Sequence, residues 1–439
     1  MILKQVIIIN DLIILYLPQK WGFRRFWMFY QLKKAFQVNY PRQFWVLFVG
    51  VMISTTGSSM IWPFTMIYVS ETLNMPLSAT ATLLTLRAVA GLVSSVISGS
   101  ITDALGRKGV MVTGLIVYGS TYIMMNFATS YIAFALVLVL GGIFDPLYRI
   151  GADAMLADLI EPERRVNAYS LTRMAQNVGV AMGPMIGGFL VTQSYTMAFF
   201  IAAFGIFLYS VILIFGTKET LAEKKDIRAS LAPKELFAGY KSVLSDGLFI
   251  RFTVLVIIVS VATSLLWTLL PIYLKGNFGV SESLYGVLPM TNALMVIFLQ
   301  LLITQWAKKI KPLVSIFIGG FTYGVIMFAF GFANAFWMFL VGFIIWTLGE
   351  MLFAPMATTY AANLAPAHMR GRYMSIFSLY WSIASGIGPL LGGILNDTIG
   401  PKYIWFGGAI FPILGALGFM FLRTRESRDH RFVLAEETK

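Results

Sequence analysis

Between residues 44 and 422 the chain is built of long apolar runs separated by short polar breaks. Twelve runs reach the ~20 residues that a helix needs to cross the hydrocarbon core of a bilayer. They fall at 44–70, 81–101, 109–127, 131–156, 168–191, 196–216, 249–274, 284–306, 312–331, 335–361, 372–395 and 402–422. All are much longer than the ~10-residue alternating segments of a membrane barrel, and a helix satisfies its own backbone polar groups in lipid. The pattern predicts an all-α membrane protein with twelve transmembrane helices. Composition agrees: 58% of the 439 residues are hydrophobic and 12% charged, a balance that soluble domains do not sustain at this length.

The polar breaks carry the charge. A net charge of +13 would by itself suit a nucleic-acid binder, but the cations are sorted by side. With the N-terminus in the cytoplasm, Lys and Arg gather in the N-terminal tail (Lys20, Arg24, Arg25, Lys33, Lys34), at Arg107 and Lys108, and at Arg164 and Arg165. They continue in the central loop (Lys218, Lys224, Lys225, Arg228, Lys234, Lys241), at Lys308, Lys309, Lys311, Arg370 and Arg372, and in the C-terminal tail (Arg423, Arg425, Arg428, Arg431). The breaks assigned to the other side hold Lys275 and Lys402. This is the positive-inside rule, and it predicts a multi-pass protein of the cell membrane with both termini cytoplasmic, partnered by lipid and not by nucleic acid.

The polar segments also set the expected organisation: an N-terminal segment (1–43), a first bundle (44–216), a cytoplasmic linker (217–248), a second bundle (249–422) and a tail (423–439). Residues 6–18 are apolar but short and interrupted by Asn10 and Asp11, and a basic aromatic stretch follows over 21–36. No small-residue cleavage site follows, so an interfacial helix is expected there rather than a signal peptide. The alternative is that synthesis starts at Met28 and residues 1–27 are not native. The Lys- and Glu-rich linker is expected to hold an amphipathic surface helix. Cysteine is absent and the two histidines, His368 and His430, lie in polar breaks. Metal sites, cofactors and nucleophilic catalysis are therefore not expected, and the chain is read as no enzyme.

The second half repeats the first. GPMIGGFL at 183–190 is matched by GPLLGGIL at 388–395, an offset of 388 − 183 = 205. At the same offset Ala157-Asp158-Leu159 meets Ala362-Asn363-Leu364, and Arg165 meets Arg370. Two copies of six helices in one orientation predict two six-helix bundles related by a pseudo-twofold axis along the membrane normal. A substrate site is expected near the midplane between them.

Two motifs narrow the class. The break after the second run reads GSITDALGRK, placing Gly99, Asp103, Gly106, Arg107 and Lys108 in the pattern G-x-x-x-D-x-x-G-R-K. Glycines allow close approach and positive φ, the carboxylate suits a helix N-terminus, and the cations suit an anionic lipid surface. The fifth run holds Gly179, Gly183, Pro184, Gly187 and Gly188 as G-x-x-x-G-P-x-x-G-G; the eleventh keeps Gly388, Pro389, Gly392 and Gly393, with Ala384 in place of the first glycine. Small residues at four-residue spacing let helices pack closely in lipid, and generic packing suffices for a lone GxxxG. The first pattern resembles the loop signature between the second and third helices of the major facilitator superfamily. The second resembles the fifth-helix signature of its proton-coupled antiporters, chiefly the twelve-helix drug exporters. The resemblance spans 44–422 and implies that fold. It also implies a gating role for Asp103, Arg107 and Lys108, with the aspartate engaging a helix end of the opposite bundle and steadying the outward-facing state. The matching break from Trp306, WAKKIK, keeps the cations but not the Asp and Gly, so this latch is expected mainly on the N-terminal side.

Ionisable groups inside the runs carry the mechanism, because each costs about 2.5–3.5 kcal/mol at a helix centre on insertion scales unless paired or hydrated. Asp145 and Glu350 sit near the middles of the fourth and tenth runs, again 350 − 145 = 205 apart. Arg149, one turn beyond Asp145, offers an ion pair. Glu350 has no cation in its own run, and a carboxyl out of water favours its protonated form. Glu350 is therefore the first proton-coupling candidate, ahead of Asp145 and Arg149. The competing readings are a structural carboxyl at Glu350 and a permanently ionised pair at Asp145. Arg87 either pairs with an acid, the preferred reading, or attracts an anionic substrate. Trp62, Tyr148, Trp267, Tyr323, Trp346 and Trp381 are candidates to line a cavity by stacking and cation–π attraction, against ordinary packing for any one of them.

The resemblance implies a secondary active transporter, a monomer that exports small lipophilic or cationic organic compounds (multidrug efflux) against protons by alternating access. No GxxxxGK[ST] signature for ATP is present. The alternatives are a proton-coupled transporter of one metabolite, such as a sugar, an amino acid or a lysophospholipid, and a non-transporting membrane scaffold or sensor.

Overall fold

The computed structural model describes residues 40–221, 240–307, 309–366 and 369–436. The expected interfacial helix before residue 40, most of the expected linker helix, His368 and the side chain of His430 lie outside the described residues. Among the described residues the chain is helical throughout, without strands, and twelve helices are long and apolar enough to cross a membrane. The N-terminal six are α1 Arg42–Leu73, α2 Leu77–Leu105, α3 Arg107–Phe127, α4 Tyr131–Leu159, α5 Pro162–Gln193 and α6 Tyr195–Gly216. The C-terminal six are α7 Gly247–Phe278, α8 Val287–Ala307, α9 Pro312–Phe330, α10 Phe336–Leu364, α11 Arg370–Thr398 and α12 Tyr403–Glu436. A short helix, Glu282–Tyr285, leads into α8.

Several helices outrun their apolar runs. α2 begins at Leu77 and α5 at Pro162, and α12 continues through the expected tail to Glu436. Once formed, a helix gains a hydrogen bond per added residue and continues past the lipid until a breaker intervenes. The breakers are local: Pro162 and Pro312 occupy first-turn positions, and Ser130 and Ser194 cap α4 and α6 by accepting the Ala133 and Met197 N–H groups. Between α2 and α3 the chain turns on Gly106 alone, at φ +102°, where a Cβ would also stand 2.6 Å from Glu219 Oε2.

The helices pack as two bundles built alike. In the first, α1 lies on α5 and α6, α2 on α4, and α3 on α4 and α6; in the second, α7 lies on α11 and α12, α8 on α10, and α9 on α10 and α12. The glycine motifs are the seams. A Cβ on Gly179, Gly183 or Gly187 would run into α1, and at Gly187 it would stand 2.1 Å from the Met60 carbonyl. Gly388 and Gly392 face α7 in the same way. Gly188 and Gly393 instead reach across to the other bundle. Gly188 abuts the Glu282 carbonyl and Ser283 Cα, and Gly393 abuts Leu77 and Ser78. Those contact points are themselves 282 − 77 = 205 residues apart, so the pseudo-twofold axis relates the two inter-bundle contacts α5–α8 and α2–α11. Gly99 has no such role here, since a Cβ there would meet nothing within 4 Å.

Candidate functional site

The termini of the two bundles share one end of the molecule, called here the terminal end, and the opposite end is the far end. Between the bundles, α1, α2 and α4 on one side and α7 and α11 on the other enclose a cavity of about 200 Å3. Two backbone irregularities shape it. α1 tightens into a 3-10 turn at Trp62–Phe64, where Pro63 has no N–H to donate, and this turn presents Trp62, 37% exposed, to the cavity. In α4, Pro146 deprives the Gly142 carbonyl of its helical donor, and both residues line the space.

Asp145 and Arg149 project from one face of α4 and form the expected pair, Nε to Oδ2 at 3.3 Å. Arg149 keeps 59% of its side chain exposed although it sits inside a membrane helix, because it opens onto the cavity. Asp153 is one turn further toward the terminal end and is also exposed. Across the cavity stand Ser264 and Thr268 of α7 and Trp381, Ser382 and Ser385 of α11.

Arg87 enters the cavity from α2. Among the described residues Asp145 takes Arg149 as its ion-pair partner, and Arg87 makes no ion pair of its own, although the Asp145 charge and Tyr118 on α3 are within its electrostatic reach. The Tyr118 and Tyr122 hydroxyls meet at 2.8 Å. The repeat offset carries this group onto a second one, since 292 − 87, 323 − 118 and 350 − 145 all equal 205. In the second group Asn292 of α8 donates from Nδ2 to Glu350 Oε2 at 2.7 Å and to Thr347 Oγ1 at 3.1 Å. Tyr323 is within electrostatic reach of Glu350. Glu350 is thus bonded within its own bundle and does not line the cavity. The exposed Arg173 of α5 and Glu350 both reach Tyr380 of α11 electrostatically. Sequence reasoning passed over Tyr118, Asn292 and Arg173, although the 205-residue offset pointed to the first two.

The far end is closed by ties between the bundles. Lys275 of α7 bridges Glu71 of α1 at 2.5 Å and Glu282 at 2.7 Å, and the Tyr195 hydroxyl of α6 donates to Glu282 at 3.4 Å. Asp397, at the end of α11, accepts the Leu77 and Ser78 N–H groups at the start of α2, at 3.2 and 2.7 Å. These are orphan donors at a helix N-terminus, where a carboxylate is favoured. Deeper in, the Thr85 hydroxyl donates to the Gly386 carbonyl at 2.6 Å.

The motif at the terminal end is bound within the first bundle. Arg107 pairs with Asp103 and with Asp158 of α4, and Lys108 Nζ donates to the Ile214 and Thr217 carbonyls at 2.7 and 2.8 Å. Glu219, which sequence reasoning also passed over, receives the Arg107 and Lys108 N–H groups at 2.9 and 3.1 Å and so caps α3. Against the desolvation of partial burial, the backbone N–H groups of Leu221, Arg107, Lys108 and Thr220 hold its carboxyl below the usual carboxylate range.

Four aromatic candidates are corrected. Tyr323 and Trp346 stack at 3.9 Å in the core of the second bundle, and Tyr148 is buried against Tyr209 and Ser54 in the first. Trp267 packs between Trp62 and Phe343, behind the cavity wall. None of these four rings lines the cavity; Trp62 and Trp381 are the two of the six that do.

Two repeated six-helix bundles around a cavity between them are the architecture of a membrane transporter. The sequence profile of the Major Facilitator Superfamily matches residues 47–330 and 252–439, and the chain belongs to that family. Its relatives include a Na(+), Li(+), K(+)/H(+) antiporter of Planococcus maritimus, 26% identical over 90% of this chain and 98% of that one. Quinolone resistance protein NorA of Staphylococcus aureus is 24% identical over 81% of this chain and 90% of its own. Among solved structures, a bacterial homolog of the human lysosomal transporter Spinster, in an inward-facing and unoccupied conformation, superposes with a TM-score of 0.74. It covers 87% of this chain and 97% of that one at 15% identity.

Proposed function

We propose that the protein exports small organic compounds in exchange for protons, by alternating access between its two bundles. The observation that carries this reading is Glu350: a mid-helix carboxyl held by the neutral amide of Asn292 inside the second bundle, in a molecule whose bundles enclose a cavity and are tied together at the far end. A carboxyl facing a neutral donor has no fixed counter-charge, so gaining or losing a proton changes the charge inside the second bundle and with it the relative stability of the two facing states.

Placing the Lys- and Arg-rich terminal end in the cytoplasm makes the far end external and the conformation inward-facing. Rocking the bundles breaks the Lys275, Glu282 and Asp397 ties, and Asp103, Arg107 and Lys108 steady the outward-facing state from the other end. The relative named as a cation/proton antiporter supports proton exchange, and the relative named as a quinolone resistance protein supports export of organic compounds. A second reading, transport of one polar metabolite, is favoured by the cavity itself. Its volume of about 200 Å3 is below the ~300–1,000 Å3 of drug-sized sites, and much of its wall is hydroxyl-bearing.

The test is purified protein in sealed vesicles under an imposed pH gradient, offered lipophilic cationic dyes, sugars and amino acids. Gradient-driven movement is expected in wild type and its loss in Glu350→Gln with normal insertion. Full activity of that variant removes Glu350 as proton carrier. Dye movement supports drug export, and saturable movement of one polar solute supports the second reading.

A further inference from the structure

We infer that Arg87 is an anion-binding residue of the cavity, and that the transported compound carries a carboxylate or similar oxyanion that this guanidinium holds; the inference rests on the transport reading above. The charge balance of the wall points to it. Three ionisable side chains line the cavity, Arg87, Asp145 and Arg149, and the carboxylate among them is engaged by Arg149. Among the described residues no ion pair includes Arg87. Asp153, which reaches Arg149 electrostatically, is a turn beyond the lining. The wall therefore holds one cation in excess, in a membrane interior where an unbalanced charge is costly and a counter-ion is favoured.

The geometry of the donors agrees with an oxyanion guest. A guanidinium presents five N–H groups in a planar fork matched to two oxygens. The Tyr118 and Tyr122 hydroxyls nearby bond each other and bring no charge that would neutralise Arg87. Hydroxyls of Ser264, Thr268, Ser382 and Ser385 face it across the space and serve the remaining polar groups of a small guest. The symmetry-related position in the other bundle is Asn292, whose amide is committed to Glu350 and Thr347, so the excess cation belongs to the first bundle alone of the two.

Three near-isosteric probes test the inference on the full chain in lipid nanodiscs: benzoate, benzamide and benzylammonium, followed by tryptophan fluorescence, to which Trp62 and Trp381 report from the wall. Benzoate is expected to bind about tenfold or more tighter than the other two, in line with a charge-assisted hydrogen-bonded contact. Arg87→Met should remove that preference, Arg87→Lys should keep part of it, and benzamide binding should be unchanged in both. Benzylammonium binding as tightly as benzoate in wild type, or an undiminished benzoate preference in Arg87→Met, overturns the inference. Should Arg87→Met fail to fold, the wild-type ranking of anion over cation decides alone. The same probes in vesicles under a pH gradient separate the two claims. Gradient-driven flux without benzoate preference sinks the anion site and leaves the transporter, whereas Arg87-dependent benzoate binding with no solute moving does the reverse.

Discussion

The two bundles place the same three positions in the same relation and then fill them differently. On the N-terminal side Arg87, Tyr118 and Asp145 surround a cavity wall, and Arg149 adds a second cation; on the C-terminal side Asn292, Tyr323 and Glu350 lie within a packed core with no cation bonded to the acid. Duplication preserved the scaffold and left a cation on α2, Arg87, where α8 has an amide, Asn292. In the first bundle the acid is engaged by a cation at the cavity wall. In the second the acid meets an amide, and that acid is the group the proposed mechanism uses to carry the proton. The difference teaches that in a repeat transporter the role of an acid is set less by its depth than by what its symmetry-related neighbour became.

The most damaging change should be the one that erases this difference. Asn292→Arg gives Glu350 the partner that Asp145 already has nearby, and gradient-driven flux in vesicles should fall to background while the protein still inserts; coupling that survives would show that the neutral amide is not what frees Glu350. Next in size is a contrast between the two glycine seams. A Cβ at Gly187 meets backbone, 2.1 Å from the Met60 carbonyl, but at the equivalent Gly392 it meets the tip of the Leu269 side chain at 2.4 Å. Gly187→Ala should therefore cost about 3 kcal/mol or more and Gly392→Ala about 1 kcal/mol, since a side chain can rotate away and a carbonyl cannot. Melting curves in detergent read this directly, and equal losses would contradict the packing described.

Smaller effects should separate the two ends. Lys275→Met breaks the bridge to Glu71 and Glu282 and favours the far-open state. Because the chain has no cysteine, Ser382→Cys in the cavity wall can be labelled alone, and an impermeant maleimide added at the far side should react several-fold faster when Lys275 is replaced. The smallest effect belongs to Glu219, which is exposed, so its cap of α3 is worth about 0.5 kcal/mol after screening. Its carboxyl is held below the usual range in the folded state, so its contribution is present above the ordinary glutamate value and is lost as the pH falls through the lower, folded one. The gap in melting temperature between wild type and Glu219→Gln should thus close on acidification below about pH 4.

Much of the architecture was legible before any tertiary contact. Twelve apolar runs, their punctuation by Pro162, Pro312 and Gly106, the 205-residue repeat and the Asp145–Arg149 pair one turn apart all follow from local rules: bilayer thickness, helix pitch and backbone satisfaction. Facing was not legible. In lipid the outer surface of a helix is as apolar as its packed surface, so α10, which holds Trp346, Glu350 and Thr347, shows no amphipathic stripe by which to say that Trp346 stacks on Tyr323 and Glu350 meets Asn292. For the same reason Tyr148, Trp267, Tyr323 and Trp346 looked as suited to a cavity as Trp62 and Trp381.

Amino-acid order alone determined the number of spans, their duplication and the inventory of charges placed in the membrane, because crossing a bilayer is a constraint each segment meets by itself. Only the packed structure decided that Asp145 takes Arg149 and not Arg87 as its ion-pair partner, that Glu350 bonds to an amide, and that Lys275 and Asp397 tie the bundles at the far end. Those facts join residues as far apart as Leu77 and Asp397, and no local rule fixes which side chains meet when helices of uniform polarity close around a shared cavity.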